Sequence, residues 1–198
     1  MAEKLDIMEK LIIIDSCMRE ESRTRVILDA ARGVLSARYD IETIDVNALA
    51  LPPVTPETLN ERTAGRVPEE TVAIARRIAS ADRIVIAAPF WDMSFPACLK
   101  AFFENISLFN VTFTDDGTTC TGLCKCRKVL YITTRGMDIP NGDYRDQGSS
   151  YLKALSSLWG LGEVITVAAW KLDYLPADKV CEKVSEAAEL VGRICEEF

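Results

Sequence analysis

The chain contains no histidine. That absence removes Ser-His-Asp and Cys-His nucleophilic arrangements and most catalytic zinc sites, which rely on imidazole. Basic residues are also in deficit: 23 Lys and Arg against 30 Asp and Glu leave a net charge of −7. Such a balance argues against broad binding to nucleic acid or an anionic membrane and for small molecules or proteins as partners. No apolar run approaches the roughly 18 to 20 residues of a membrane span. The opening residues MAEKLDIMEK lack the basic and apolar regions of a signal peptide, so a cytoplasmic location is expected. Repeats, low-complexity tracts and interdomain linkers are missing as well. Neither G-x-G-x-x-G nor G-x-x-x-x-G-K occurs, so a dinucleotide fingerprint and a nucleoside triphosphate loop are both excluded. Chemistry in such a chain is expected to depend on a borrowed group.

What is there suffices for one compact domain over residues 1–198: 48% of the chain is hydrophobic and 27% charged. The seven cysteines, Cys17, Cys98, Cys120, Cys124, Cys126, Cys181 and Cys195, are an odd number spread through a domain-sized chain. They read as reduced thiols rather than a disulfide framework.

Short apolar runs rich in Val and Ile, at 11–14, 41–46, 84–88, 129–133 and 164–169, read as strands. Amphipathic stretches between them predict helices over 22–37, 68–81, 96–109, 148–160 and 177–197. Continuous apolar strands alternating with helices imply an α/β fold, a doubly wound five-stranded parallel sheet with both faces covered and strand order 2-1-3-4-5. The turn-rich segment 50–67 predicts a loop with a short helix beginning at Pro56. Residues 110–127, with Asp115-Asp116-Gly117 between residues of strand character, predict a hairpin insert before strand four.

In such sheets the ligand lies outside the carboxyl ends of the strands, where the strand order reverses. The loop after strand one, DSCMREESRTR, crowds Ser16, Arg19, Ser22, Arg23, Thr24 and Arg25 around a helix start. Free N–H groups, hydroxyls and arginines there suit an anion, and a monophosphate above all. The plainer reading makes Ser22 a helix cap and the arginines solvated surface; so cationic a helix start in an acidic chain favours phosphate. The loop after strand three, AAPFWDMSFP, offers Phe90, Trp91, Met93 and Phe95 to a ring system, against the alternatives of core packing or a dimer contact. After strand four, Thr133, Thr134, Gly136 and Met137 bring backbone donors, with Gly136 permitting close approach.

Residues Ser16 to Thr24, Pro89 to Lys100 (close to P-M-Y-N-F-x-x-P-x-x-L-K) and Thr134-Arg135-Gly136 (close to S-R-G-G) carry a resemblance over nearly the whole chain. The chain resembles the flavodoxin-like FMN-dependent NAD(P)H oxidoreductases, the group of FMN-dependent NADH-azoreductases and NAD(P)H quinone reductases. The resemblance implies that Ser16, Ser22 and Thr24, assisted by Arg19 or Arg23, hold the FMN phosphate. Pro89, Phe90, Trp91, Asp92 and Met93 would line the flavin ring, and Thr134, Arg135, Gly136 and Met137 would meet its polar edge. It further implies NAD(P)H as co-substrate, a quinone, azo or nitroaromatic acceptor, and a homodimer that covers Trp91, Phe95 and Phe109. The competing reading is a flavodoxin-type electron carrier, whose T-x-T-G-x-T phosphate loop is absent here.

Three departures from the resembling pattern stand out. Asp92 stands where asparagine is common, and an ionised carboxylate has no donor for a flavin nitrogen or carbonyl. Trp91 replaces tyrosine and Met137 replaces a second glycine. Cys120, Cys124 and Cys126 form a C-x-x-x-C-x-C cluster for which no histidine supplies a fourth metal ligand, so they read as thiols on a hairpin. Cys17, at a helix start near arginines, is expected to have a depressed thiol pKa.

Overall fold

The computed structural model describes residues 8–198; residues 1–7, on which part of the signal-peptide expectation falls, lie outside the described residues. The elements run β1 Glu9–Asp15, α1 Arg23–Leu35, β2 Tyr39–Asp45, α2 Val46–Leu49, α3 Pro56–Thr63, α4 Glu69–Ser80, β3 Arg83–Ala87 and α5 Ala97–Ile106. They continue with β4 Phe113–Asp115, β5 Cys120–Gly122, β6 Lys128–Thr134, α6 Gln147–Trp159, β7 Glu163–Ala169, a 3-10 turn Leu172–Tyr174 and α7 Ala177–Glu196. The main sheet has the order β2-β1-β3-β6-β7, every pairing parallel. With the insert strands set aside, this is the expected 2-1-3-4-5.

Period-two alternation explains why the strands are apolar throughout. Ile12, Ile14, Ile84, Ile86, Val129 and Tyr131 pack under α4, α5 and α6. Their neighbours Leu11, Ile13, Val85, Leu130 and Ile132 pack under α1 and α7. Each strand therefore feeds two cores.

Local chemistry sets the element ends. Helix α5 stops at Ile106, short of the expected 109, where the buried Thr112 hydroxyl accepts the Leu108 N–H at 3.0 Å and lies within donating distance of the Ile106 and Leu108 carbonyls. Strand β2 ends at Asp45, whose carboxylate caps α2 by accepting the N–H groups of Asn47 and Ala48. Helix α3 begins at Pro56 as expected, with Thr55 and Thr58 forming a reciprocal capping box. No residue of α3 is buried. Arg62 ties it down, its guanidinium donating to the Glu104 carbonyl (2.9 Å) and the Asn105 side chain (2.9 Å) at the end of α5.

The expected hairpin is β4 and β5, antiparallel, and it lies against the end of α6. Gly122 makes this docking possible: a Cβ there would stand 2.2 Å from the Gly160 nitrogen and from the Trp159 carbonyl carbon. No helix of the described residues is long and apolar enough to cross a membrane.

Gly122→Ala is expected to push the hairpin off α6, with a loss of about 1–3 kcal/mol in urea unfolding. Faster amide exchange in β4 and β5 would accompany it; unchanged stability and exchange would contradict the close approach.

Candidate active site

The carboxyl ends of the central strands enclose a cavity of about 630 Å³. Its walls are Met18 to Thr24, Pro89 to Trp91, Thr134 and Gly136, with Leu172 and Asp173 closing the side beyond β7.

The cationic end is built by α1 and the loop before it. Ser22 is the N-cap and takes the Arg25 N–H at 3.3 Å, as the plainer reading had it. The N–H groups of Arg23 and Thr24 belong to the first turn, which has no intrahelical partners. Arg25 braces the loop from behind by donating to the Cys17 carbonyl (2.8 Å), with the Asp15 carboxylate 3.4 Å away. Asp15 in turn accepts the Cys17 N–H at 2.8 Å. Arg19 and Arg23 line the cavity, and so do Glu20 and Glu21.

The flat end comes from the loop after β3. The Phe90 N–H donates to the Thr134 carbonyl (3.1 Å), and the Arg135 guanidinium lies over the Phe90 ring at 5.5 Å. Trp91 and Ser94 exchange backbone hydrogen bonds of 3.1 and 2.8 Å around a two-residue turn. Both central residues have positive φ, 45° at Asp92 and 65° at Met93. This mirror-image turn favours Asn, Asp or Gly at its first central position, which accounts for Asp92 by backbone conformation rather than ligand contact. Met93 has no such tolerance; its carbonyl is held by the Gln147 N–H at 2.9 Å. The two ends meet where the Thr24 and Thr134 hydroxyls lie 2.7 Å apart.

Arg19, Ser22, Arg23, Thr24, Pro89, Phe90, Trp91, Thr134 and Gly136 thus come together on one cavity wall. Five expected residues do not line it. Ser16 is buried, and both its N–H and its hydroxyl donate to the Ala87 carbonyl, stitching β1 to β3. Arg135 is wholly buried: Nη2 pairs with Asp146 at 2.6 Å, and Nη1 donates to the carbonyls of Ile139 and Pro140. Asp92, Met93 and Met137 sit outside the wall on solvent-facing turns. Phe95 also departs from expectation; it is core, edge-on to Phe103 and Tyr151, because the chain turns inward after Ser94.

Cys17 is the clearest reversal. Burial pushes its thiol up to about 12, with a hydrogen bond from Ser22 and the charge of Arg25 too weak to offset the loss of water. The three clustered cysteines separate: Cys120 is exposed and donates to Asp115, while Cys124 and Cys126 point to the carbonyls of Thr112 and Lys128. Sequence reasoning missed Met18, Glu20, Glu21, Leu172 and Asp173. The last two were within reach, because the rule applied after strands one, three and four holds equally after strand five.

A family model described as a flavodoxin-like fold matches residues 8–192. An FMN-dependent NADH:quinone oxidoreductase of Lachnoclostridium phytofermentans is 36% identical over 124 residues, 63% of this chain and 62% of that protein. FMN-dependent NADH:quinone oxidoreductase 2 of Clostridium acetobutylicum is 35% identical over 58% of this chain and 62% of its own length. The match thus spans less than two thirds of these relatives. Among solved structures, an FMN-dependent NADH-azoreductase of Bacillus anthracis in complex with FMN has a TM-score of 0.78 at 23% identity, covering 95% of this chain and 100% of that one. An NAD(P)H:quinone oxidoreductase of Methanothermobacter marburgensis has a TM-score of 0.72 at 18% identity, covering 95% and 98%. At these identities the structures testify to the fold alone.

Asp146→Ala is expected to leave the Arg135 charge buried and unpaired and to lower stability by about 3–5 kcal/mol in urea denaturation. A loss below about 1 kcal/mol would contradict the pair's place in the frame.

Proposed function

The chain belongs to the flavodoxin-like fold family, and from that premise we propose that it is an FMN-dependent NAD(P)H oxidoreductase serving quinone, azo or nitroaromatic acceptors. The observation that carries this reading is one cavity with a cationic helix start at one end and two flat aromatic faces at the other. The names of the relatives, NADH:quinone oxidoreductases rather than carriers, support it over a flavodoxin-type carrier.

The residues present fit FMN. Arg19, Arg23, the Ser22 hydroxyl and the first-turn N–H groups of α1 would hold the phosphate. Phe90 and Trp91 would pack against the ring, and Thr134 and Gly136 would face its polar edge. Bound FMN would supply the hydride and electron chemistry itself. The protein's task is then to bind, orient and keep water out, which a chain without histidine can do. Thr24 and Thr134 hold the two ends of the cavity in one relation, and the Trp91–Ser94 turn sets the angle of the tryptophan. The whole chain acts as one FMN-binding domain in the cytoplasm, and the exposed Trp91 and Phe109 give a second copy apolar surface to cover in a homodimer.

Purified protein is expected to be yellow and to bleach under NADH or NADPH without oxygen. Colourless protein that refuses added FMN would overturn the proposal, and yellow protein reduced only by a partner reductase would favour the carrier. Ser22→Ala is expected to weaken FMN binding by about 1–2 kcal/mol in a fluorescence titration, through one lost charge-assisted bond. Unchanged affinity would remove Ser22 from the phosphate contacts.

A further inference from the structure

Asp173, like Glu20 and Glu21, is an acidic residue of the cavity wall that the phosphate and ring assignments leave without a task, and of the three it has an arginine of the same wall within 4 Å. It sits in the 3-10 turn after β7, and its N–H donates to the Gly136 carbonyl at 3.0 Å. Its carboxylate presses over the same glycine: a Cβ at position 136 would stand 1.9 Å from Oδ2. The missing side chain at 136 therefore makes room for a carboxylate of this chain. On its other side Oδ1 lies 3.9 Å from Nη1 of Arg23, the first residue of α1. The pair spans the cavity from the β7 side to the cationic helix start.

We propose that Asp173 is a specificity-determining counter-anion: it holds Arg23, and a phosphorylated ligand must displace it to use that arginine. This inference rests on the phosphate end assigned above. Arg23 cannot give its full charge to two anions, and a phosphate at the start of α1 lies within range of the carboxylate. The resulting penalty scales with ligand charge, so it acts on FMN and on inorganic phosphate but leaves riboflavin untouched. The pair is solvent-facing, so the penalty is also screened by salt. The cavity thereby selects against excess negative charge, in the same sense as its other acidic residues, Glu20 and Glu21.

The test is Asp173→Asn, with Asp173→Ser as a second variant, in the full chain. FMN and riboflavin are titrated by flavin fluorescence at low and high salt, and inorganic phosphate by the shift in melting temperature. Both variants are expected to bind FMN about tenfold more tightly at low salt, with the gain shrinking as salt rises, and to bind riboflavin within about twofold of the parent. Phosphate is expected to raise the melting temperature more in the variants than in the parent. Equal changes for FMN and riboflavin, or weaker FMN binding, would overturn the proposal, because they mark a structural role or a direct contact to the ring. If the parent bound neither flavin, the flavin reading would fall and the phosphate titration would still decide: a larger shift in the variants supports the counter-anion, and equal or absent shifts sink it.

Discussion

The guanidinium of Arg135 has no contact with solvent, and the site is assembled around it. Its side chain pairs with Asp146 at the start of α6 and holds the carbonyls of Ile139 and Pro140, while its charge faces the ring of Phe90. Its backbone N–H donates to the Ala169 carbonyl, and its carbonyl accepts from the Leu172 N–H. One residue thus connects the ends of β3, β6 and β7 and the cap of α6. Burying two charges costs several kcal/mol in lost hydration, and only close pairing with further hydrogen bonds offsets it. Asp146 meets that condition too, because its second oxygen accepts the Ser149 N–H at 3.0 Å. The return is a frame in which Phe90, Thr134 and Gly136 keep fixed relative positions before any ligand arrives.

The aromatic loop hangs on this frame under a different constraint. Two successive non-glycine residues with positive φ store strain on the order of 1–3 kcal/mol each where the side chain is not suited to it. Asp92 largely escapes that cost, since its short polar side chain tolerates the left-handed region, whereas Met93 does not. The ladder between Trp91 and Ser94 and the bond from Gln147 to the Met93 carbonyl hold the turn against relaxation. Strain here serves to present Trp91 at the cavity mouth, 43% exposed, instead of letting it fold into the core as Phe95 does.

The electrostatics of the cavity are mixed rather than simply basic. Arg19 and Arg23 share the wall with Glu20, Glu21 and Asp173, in a chain of net charge −7. A field of this kind binds an anion through a few directed contacts more than through long-range attraction. The cavity offers no imidazole for proton transfer, since the sequence has no histidine.

How far the sequence reached follows from which forces are local. Strand and helix identity, the parallel order and the hairpin insert were legible because Val- and Ile-rich runs between amphipathic stretches must be buried on both faces. The cationic loop and the aromatic loop were legible because strand ends in this architecture converge on one crevice. The partners of each side chain in that crevice were not. Whether Ser16 faced a ligand or the Ala87 carbonyl depended on how β1 abuts β3, and Arg135 became structural only once Asp146 came within 2.6 Å, eleven positions along the chain. Cys17 looked activated by its neighbours in sequence and is silenced by burial, which is a property of the packed molecule. Asp173 drew its meaning from Gly136 and Arg23, residues far away in sequence. Periodicity and composition act along the chain and so determined the architecture and the address of the site. Desolvation and close pairing act through space, and only the tertiary structure decided which residues at that address line the cavity.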